Sequence, residues 1–352
     1  MTDRHLTRRR LGAAALGALL TLPAVGSAWA GPEPARHLVE AVVETPYADA
    51  WGANGVGQLG DATDDDRVTP IAVAGNAGMK AVAAGFQHSL ALLINGTVRG
   101  WGQNNRGQVG DGTQDIRFTP GTVVGLSDVK AVAAGSFHSV ALRADGTVWT
   151  WGDNTRGQLG DGVATGFSSV PVQVLRAAAK PLTGVKAVAA GADHTLALLG
   201  DGSVVAWGAN GSGQLGNGVT GGISRTPVAV SRLAKVTAVA AGGAHSMALL
   251  SDGTVRTWGS NGSGELGNGS NVAESNLPVA VAGLSGVRGI AAGESHDLAL
   301  VKKGTVKSWG DNNRGQLGLG TNLPQSNLPV DVVDLTGVRQ VAAGAFHTLA
   351  AG

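Results

Sequence analysis

Six histidines recur on a near-constant beat: His88, His138, His194, His245, His296 and His347. Imidazole is the side chain most often used to move protons or hold metals near neutral pH. Spacing argues against both uses. Each histidine sits at the same place in a segment such as "AAGSFHS" (133–139), where His138, Val140 and Leu142 share the parity of one strand face, as do His88, Leu90 and Leu92. That parity points the rings between packed sheets. Equivalent positions on such sheets lie on the order of 10 Å apart, whereas a metal needs its nitrogen ligands about 2 Å from one ion. No unit adds an out-of-pattern Ser and carboxylate to its histidine, so no triad is expected either. The histidines read as packing residues that must each find a hydrogen bond.

Other chemistry is equally thin. The chain has no cysteine, which removes thiolate nucleophiles, disulfides and Cys-ligated zinc. "GANGVG" (52–57) resembles a phosphate-cradling loop, but no strand-to-helix context follows it. Asp153-Asn154 and Asp311-Asn312-Asn313 suggest calcium loops without the closing Glu. The expectation is a protein that is not an enzyme, with no catalytic residue, no cofactor and no metal.

The elements that position the histidines follow from a second beat. Trp-Gly pairs begin at Trp51, Trp101, Trp151, Trp207, Trp258 and Trp309, a period of about 50 residues that marks a repeat architecture. Within one unit, "SVALR" and "TVWTW" flank Asp145-Gly146, a dipeptide suited to a tight hairpin. Asp201-Gly202 and Asp252-Gly253 repeat it, and Asn95-Gly96 and Lys303-Gly304 are variants. "KAVAAG" before and "PVQV" after supply two more strands. The fold class is therefore all-β: a propeller of four-stranded antiparallel blades, six by count with a seven-bladed alternative, since such sheets bury both faces only against neighbours. The first unit starts at its Trp-Gly strand and the last stops after "AAGAFHTLAAG". The spacing thus predicts that the strand near Tyr47–Trp51 completes the blade begun by residues 338–350 and closes the ring.

These units resemble regulator of chromosome condensation repeats, marked by Ala-Gly-x-x-His-Ser-x-Ala-Leu, a Gly hairpin and Trp-Gly-x-Asn-x-x-Gly-Gln-Leu-Gly. "AAGFQHSLALLINGTVRGWGQNNRGQVGDGT" (83–113) matches at nearly every position. The resemblance spans about residues 47–352 and implies a β-propeller. The family's ring usually has seven blades, so residues 37–50 are a candidate decayed half-blade. The family includes a nuclear guanine-nucleotide exchange factor and a secreted β-lactamase inhibitor, so the resemblance implies a binding role without fixing the partner.

Within the chain the repeats act as their own control. The pair before each histidine varies: Phe86-Gln87, Ser136-Phe137, Ala192-Asp193, Gly243-Ala244, Glu294-Ser295 and Ala345-Phe346. All six pairs precede a strand and should line one rim. Phe346, Phe86 and Phe137 would fall on successive blades of a closed ring, with Asp193 and Glu294 on the other arc. Three of the five phenylalanines on one arc is the pattern of a partner-binding patch; the competing reading is that they plug the ring's axis. Candidate partner-binding residues are therefore Phe86, Gln87, Ser136, Phe137, Asp193, Glu294 and Phe346. Trp149 joins them, because its equivalents are Arg99, Val205, Arg256 and Lys307.

Bulk composition narrows the partner. Gly is 57 of 352 residues while charged residues are only 14%, against about 25% in an average globular chain. Residues 1–30 hold four Arg and one Asp of the 26 basic and 25 acidic residues, leaving 22 and 24 for the rest. A near-neutral body without basic runs disfavours nucleic acid. "TRRRLG" (7–12), the apolar run after it and Ala28-Trp29-Ala30 read as a twin-arginine-like export signal over residues 1–30. Residues 31–46 read as a linker, and the propeller occupies 47–352. A retained membrane anchor is the alternative, although the run is short for a span. The sequence thus predicts an exported, monomeric propeller with a protein partner. A β-lactamase-type inhibitor is the alternative, and an exchange factor or carbohydrate binder fits less well.

Overall fold

The structure, a computed structural model, describes residues 47–352 apart from 165, 177–178 and 322. Residues 1–30, read as an export signal, and residues 31–46, read as a linker, lie outside the described residues. Among the described residues five four-stranded antiparallel sheets follow one another: blade I within residues 79–122, II within 129–173, III within 185–229, IV within 236–280 and V within 287–331. In blade I the strands, a to d, are Met79–Ala84, His88–Leu93, Val98–Gly102 and Arg117–Thr122. Every blade pairs them in the order a-b-c-d. The hairpin between b and c turns where Asp-Gly or its variants stand. In blade II, Asp145 Oδ1 accepts the Thr147 N–H at 2.9 Å and the Thr147 hydroxyl at 2.6 Å, the local bonding that suits Asp to turns.

Strand d is half-buried to exposed and strands b and c are almost wholly buried. The core lies between blades. Leu90, Leu92 and Val98 of blade I pack against Val132, Ala141 and Trp151 of blade II. The same contact repeats with Val140, Leu142 and Val148 against Val188, Ala197 and Trp207. Each tryptophan is thus the large apolar plug of one interface, and its indole N–H, once buried, needs an acceptor. It finds one in the preceding unit: Trp101, Trp151, Trp207, Trp258 and Trp309 donate to the carbonyls of Gln58, Gln108, Gln158, Gln214 and Glu265 at 2.8–2.9 Å. Gly60 is required at one such approach, because its φ is +73° and a Cβ there would lie 2.7 Å from the Trp101 indole nitrogen.

The sixth unit is split. Asp49–Gly52 pairs with Arg67–Ala72, which are strands c and d, and Gln340–Ala343 pairs with Thr348–Ala351, which are strands a and b. The two halves form separate two-stranded sheets in this structure, so the expected closure is not seen here. Trp51 is 55% exposed, whereas its five equivalents are buried.

Candidate functional site

Strand a of each blade runs into the variable pair and strand b leaves it, so all six pairs lie at one end of the sheets, together with the loops between strands c and d. The turns are tied to one another through the backbone: Ser136 N–H to Ala192 O at 3.1 Å, Ala192 N–H to Gly243 O at 3.2 Å, and Gly243 N–H to Glu294 O at 3.0 Å. Strand a is therefore innermost and the turns form a rim around the axis. Gly85 explains the invariant glycine at the turn, since a Cβ there would strike the His88 ring and stand 2.6 Å from the Gly135 carbonyl of the next blade.

The histidines behind the rim form a relay of latches. His88 Nε2 meets Ser139 Oγ at 2.9 Å, His138 meets Thr195 at 3.0 Å, His194 meets Ser246 at 2.8 Å and His296 meets Thr348 at 3.1 Å, each on the next blade. Ser139 Oγ donates its proton to the Gln108 carbonyl at 2.8 Å, and Ser246 Oγ to that of Gln214 at 2.9 Å. The hydroxyl proton being spent, the hydroxyl accepts from His Nε2–H, which assigns the tautomer. Such a Ser–His pair superficially matches a nucleophile and its base. However, His88 is 1% exposed and Ser139 fully buried, and the hydroxyl proton points away from the imidazole, so no substrate can be attacked. Burial holds His88 and His296 down to a pKa of about 4 and His138 and His194 to about 3.

One latch differs. His245 meets Asp297 Oδ1 at 2.9 Å with both groups fully buried. Burial alone would lower the His245 pKa, but the Asp297 carboxylate outweighs it and raises it. The Ser, Thr or Asp that follows each histidine was not singled out from sequence. The recurrent His-Ser and His-Thr dipeptides, broken once by His296-Asp297, were the available signal.

On the rim, Phe86 is 60% and Phe346 59% exposed, and Phe137 is half-buried. Phe86 and Phe137, from neighbouring blades, meet edge to face with ring centroids 5.9 Å apart at 63°. Gln87 and Ser136 flank them, half-buried. Phe346 belongs to the terminal half-sheet, across the split from Phe86. Asp193 lines a cavity of about 350 Å³ with Arg156, Gln214 and Ile223. Burial raises its carboxyl pKa, the Asp153 carboxylate adds to this, and Arg156 opposes it. Exposed Glu294 lies over Gly243: a Cβ on Gly243 would be 2.6 Å from Glu294 Oε1. Trp149 is placed elsewhere. It lies in strand c among the residues packed at the blade I–II interface, half-buried, its indole near Thr147 Oγ1 at 3.3 Å. It is not brought to the rim. Among the described residues no group of three or more His, Asp or Glu side chains is arranged to hold a metal ion. No helix among them is long and apolar enough to cross a membrane.

Comparison with known proteins places this geometry. The model of the RCC1-like domain matches residues 125–352, and regulator of chromosome condensation (RCC1) repeats match 50–92, 79–108 and 95–142. Among curated proteins, the human probable E3 ubiquitin-protein ligase HERC6 is 41% identical over 172 residues, 47% of this chain and 17% of that protein. The Arabidopsis thaliana ultraviolet-B receptor UVR8 is 36% identical over 170 residues, 47% of this chain and 38% of that protein. The aligned region thus spans less than half of either relative. Among solved structures, human WBSCR16 aligns with a TM-score of 0.76 at 29% identity, covering 86% of this chain and 80% of that one. Yeast RCC1 (Prp20), solved with Kap60 bound, aligns at 0.73 and 23% identity over all of this chain and 84% of that one.

Proposed function

The chain belongs to the RCC1-like family, and from that premise we propose that it is a non-enzymatic, exported protein-binding propeller whose partner docks on the rim of variable turns. The Phe86–Phe137 pair carries the reading. Two aromatic rings from adjacent blades stand together, one of them 60% exposed, at positions the repeat leaves free to vary. Aromatic clusters of this kind are typical anchors of protein interfaces. Similarity to yeast RCC1, whose structure holds Kap60, supports a protein partner in kind only. Export rests on the reading of residues 1–30 and the rim does not depend on it.

An enzyme-inhibitor role is the nearest alternative, because an exposed aromatic rim suits insertion into another protein's cleft. Guanine-nucleotide exchange is the other activity the family suggests. Affinity capture from culture supernatant, with wild type and Phe86→Ala/Phe137→Ala/Phe346→Ala side by side, tests the proposal. A partner retained by wild type and lost by the triple variant supports it. Recovery of every partner by both proteins refutes the rim. Acceleration of nucleotide release from a small GTPase by wild type would replace it with the exchange reading.

A further inference from the structure

On the opposite face of the propeller, where the b–c hairpins turn and strand a begins, the blade V hairpin departs from the repeat. At the hairpin position that holds Asn95, Asp145, Asp201 and Asp252 in blades I to IV, blade V has Lys303, and Lys302 precedes it where the other blades have Ile94, Ala144, Gly200 and Ser251. The exchange works against local structure. The four Asn or Asp side chains each accept the backbone N–H two residues on, at 2.9–3.1 Å, a bond no lysine can make. Lys303 also adopts φ +68°, a conformation that costs a side chain other than Gly about 1 kcal/mol. A residue that works against its own turn is a candidate for a role outside it.

Three more features meet it. Arg288, exposed at the second position of strand a in blade V, and Arg339, exposed immediately before strand a of the terminal half-sheet, both line a cavity of about 150 Å³ between these two strands. Its apolar wall is Ile290, Leu300 and Val341. Gly289 stands where the other complete blades have Ala81, Ala131, Ala187 and Ala238. A Cβ there would make only ordinary contact, 3.5 Å from Leu300 Cβ, so no steric conflict demands glycine, and its absence of a side chain leaves the cavity open. Lys302 lays its stem against Gly286, two residues before Arg288. Arg288 spends one donor on the Val338 carbonyl at 2.6 Å, which braces the guanidinium at the cavity's edge. Of the acidic residues leading into the last strand a, Asp331 is engaged by Lys307 at 2.8 Å, and Asp334 is the other.

We propose that this cavity is a binding site for a compact organic anion, a carboxylate or phosphate on a small apolar body. The guanidinium groups of Arg288 and Arg339 take the charged end, and Ile290, Leu300 and Val341 take the body. Arginine's planar fork suits either oxyanion, and a cavity of this volume admits a body of about benzene's size. Lys302 and Lys303 attract the anion to the face without contacting its apolar end. The site is independent of the rim.

Ligand-observed NMR titrations with benzoate, phenyl phosphate, inorganic phosphate and benzyl alcohol test it. Benzoate and phenyl phosphate should bind, benzyl alcohol should not, and inorganic phosphate should bind at least tenfold more weakly than phenyl phosphate. Arg288→Gln/Arg339→Gln should weaken benzoate at least tenfold. Gly289→Val, which fills the cavity, should weaken benzoate while leaving inorganic phosphate unchanged; thermal melts of both variants establish that they fold. Binding of benzyl alcohol as tight as that of benzoate, or benzoate affinity untouched by the double arginine variant, would overturn the site.

Discussion

At the scale of the residue, the histidine latches make the molecule acid-sensitive. His88, His138, His194 and His296 have folded pKa values of about 3–4 against an ordinary 6.5. The unfolded chain therefore binds more protons as pH falls below 6.5, and stability falls with it until the folded values are reached. Each such histidine contributes a slope of about 1.4 kcal/mol per pH unit in that window. His245 runs the other way: its raised pKa gives stability that is complete below 6.5 and is lost as pH rises through the folded value. Four against one, urea unfolding at pH 8.0, 6.5 and 5.0 should show stability dropping steeply below 6.5; a flat profile would contradict the buried neutral latches. The exception makes a second prediction. His138→Ala leaves a neutral hydroxyl without its donor and should cost about 1–3 kcal/mol, whereas His245→Ala strands a buried carboxylate and should cost about 3–5 kcal/mol. The sequence made the histidines legible as interface residues through strand parity. It did not show which group each ring meets, because that partner comes from the next blade, about 50 residues away.

Elements follow local rules that the chain states repeatedly. The loop after each Trp-Gly strand is held by its asparagine: Asn104 Oδ1 accepts the Val109 N–H at 2.9 Å, and Asn104 Nδ2 donates to the Thr113 carbonyl at 3.1 Å. The asparagine was legible as a fixed position of the repeated Trp-Gly-x-Asn motif, and the structure shows what it does there, supplying donor and acceptor from one buried amide. In the blade V hairpin, Lys303→Asp restores the bonding of the other blades and should stabilise the protein by about 0.5–1 kcal/mol in thermal or urea unfolding. No gain would mean the turn was not under strain. Strand a illustrates what sequence alternation conceals. Its register shifts between Met79 and Ala81, and at the equivalent place in blades II to V. The residue at that shift, Lys80, Lys130, Lys186, Thr237 or Arg288, is exposed in every blade, and a simple period-two count does not foresee it.

For the whole molecule, the two half-sheets carry complementary unfinished contacts. By the register of blade I, where His88 faces Gly102 and Ser89 faces Trp101, His347 would face Gly52, Thr348 would face Trp51 and Leu349 would face Ala50. Trp51 would then donate to the Gln316 carbonyl, which already accepts the Thr348 hydroxyl at 2.7 Å, and His347 would reach Ser89. We expect closure by this pairing. In a chain without cysteine, Leu349→Cys/Ala50→Cys and Thr348→Cys/Trp51→Cys report it as an intramolecular disulfide on oxidation; if neither pair bridges, the ring does not close this way. Blade architecture was legible because a period of 50 residues admits few packings, whereas closure is set by contacts between the chain's two ends, which periodicity does not describe. Closure would also carry Phe346 to the blade beside Phe86, making one aromatic arc of three. The affinity of a captured partner for wild type and for Phe86→Ala/Phe137→Ala decides the matter most directly. Loss of two aromatic anchors at about 2 kcal/mol each predicts a Kd weaker by at least 100-fold. A Kd within threefold of wild type, with the fold intact, would show that the variable rim is not where this propeller binds.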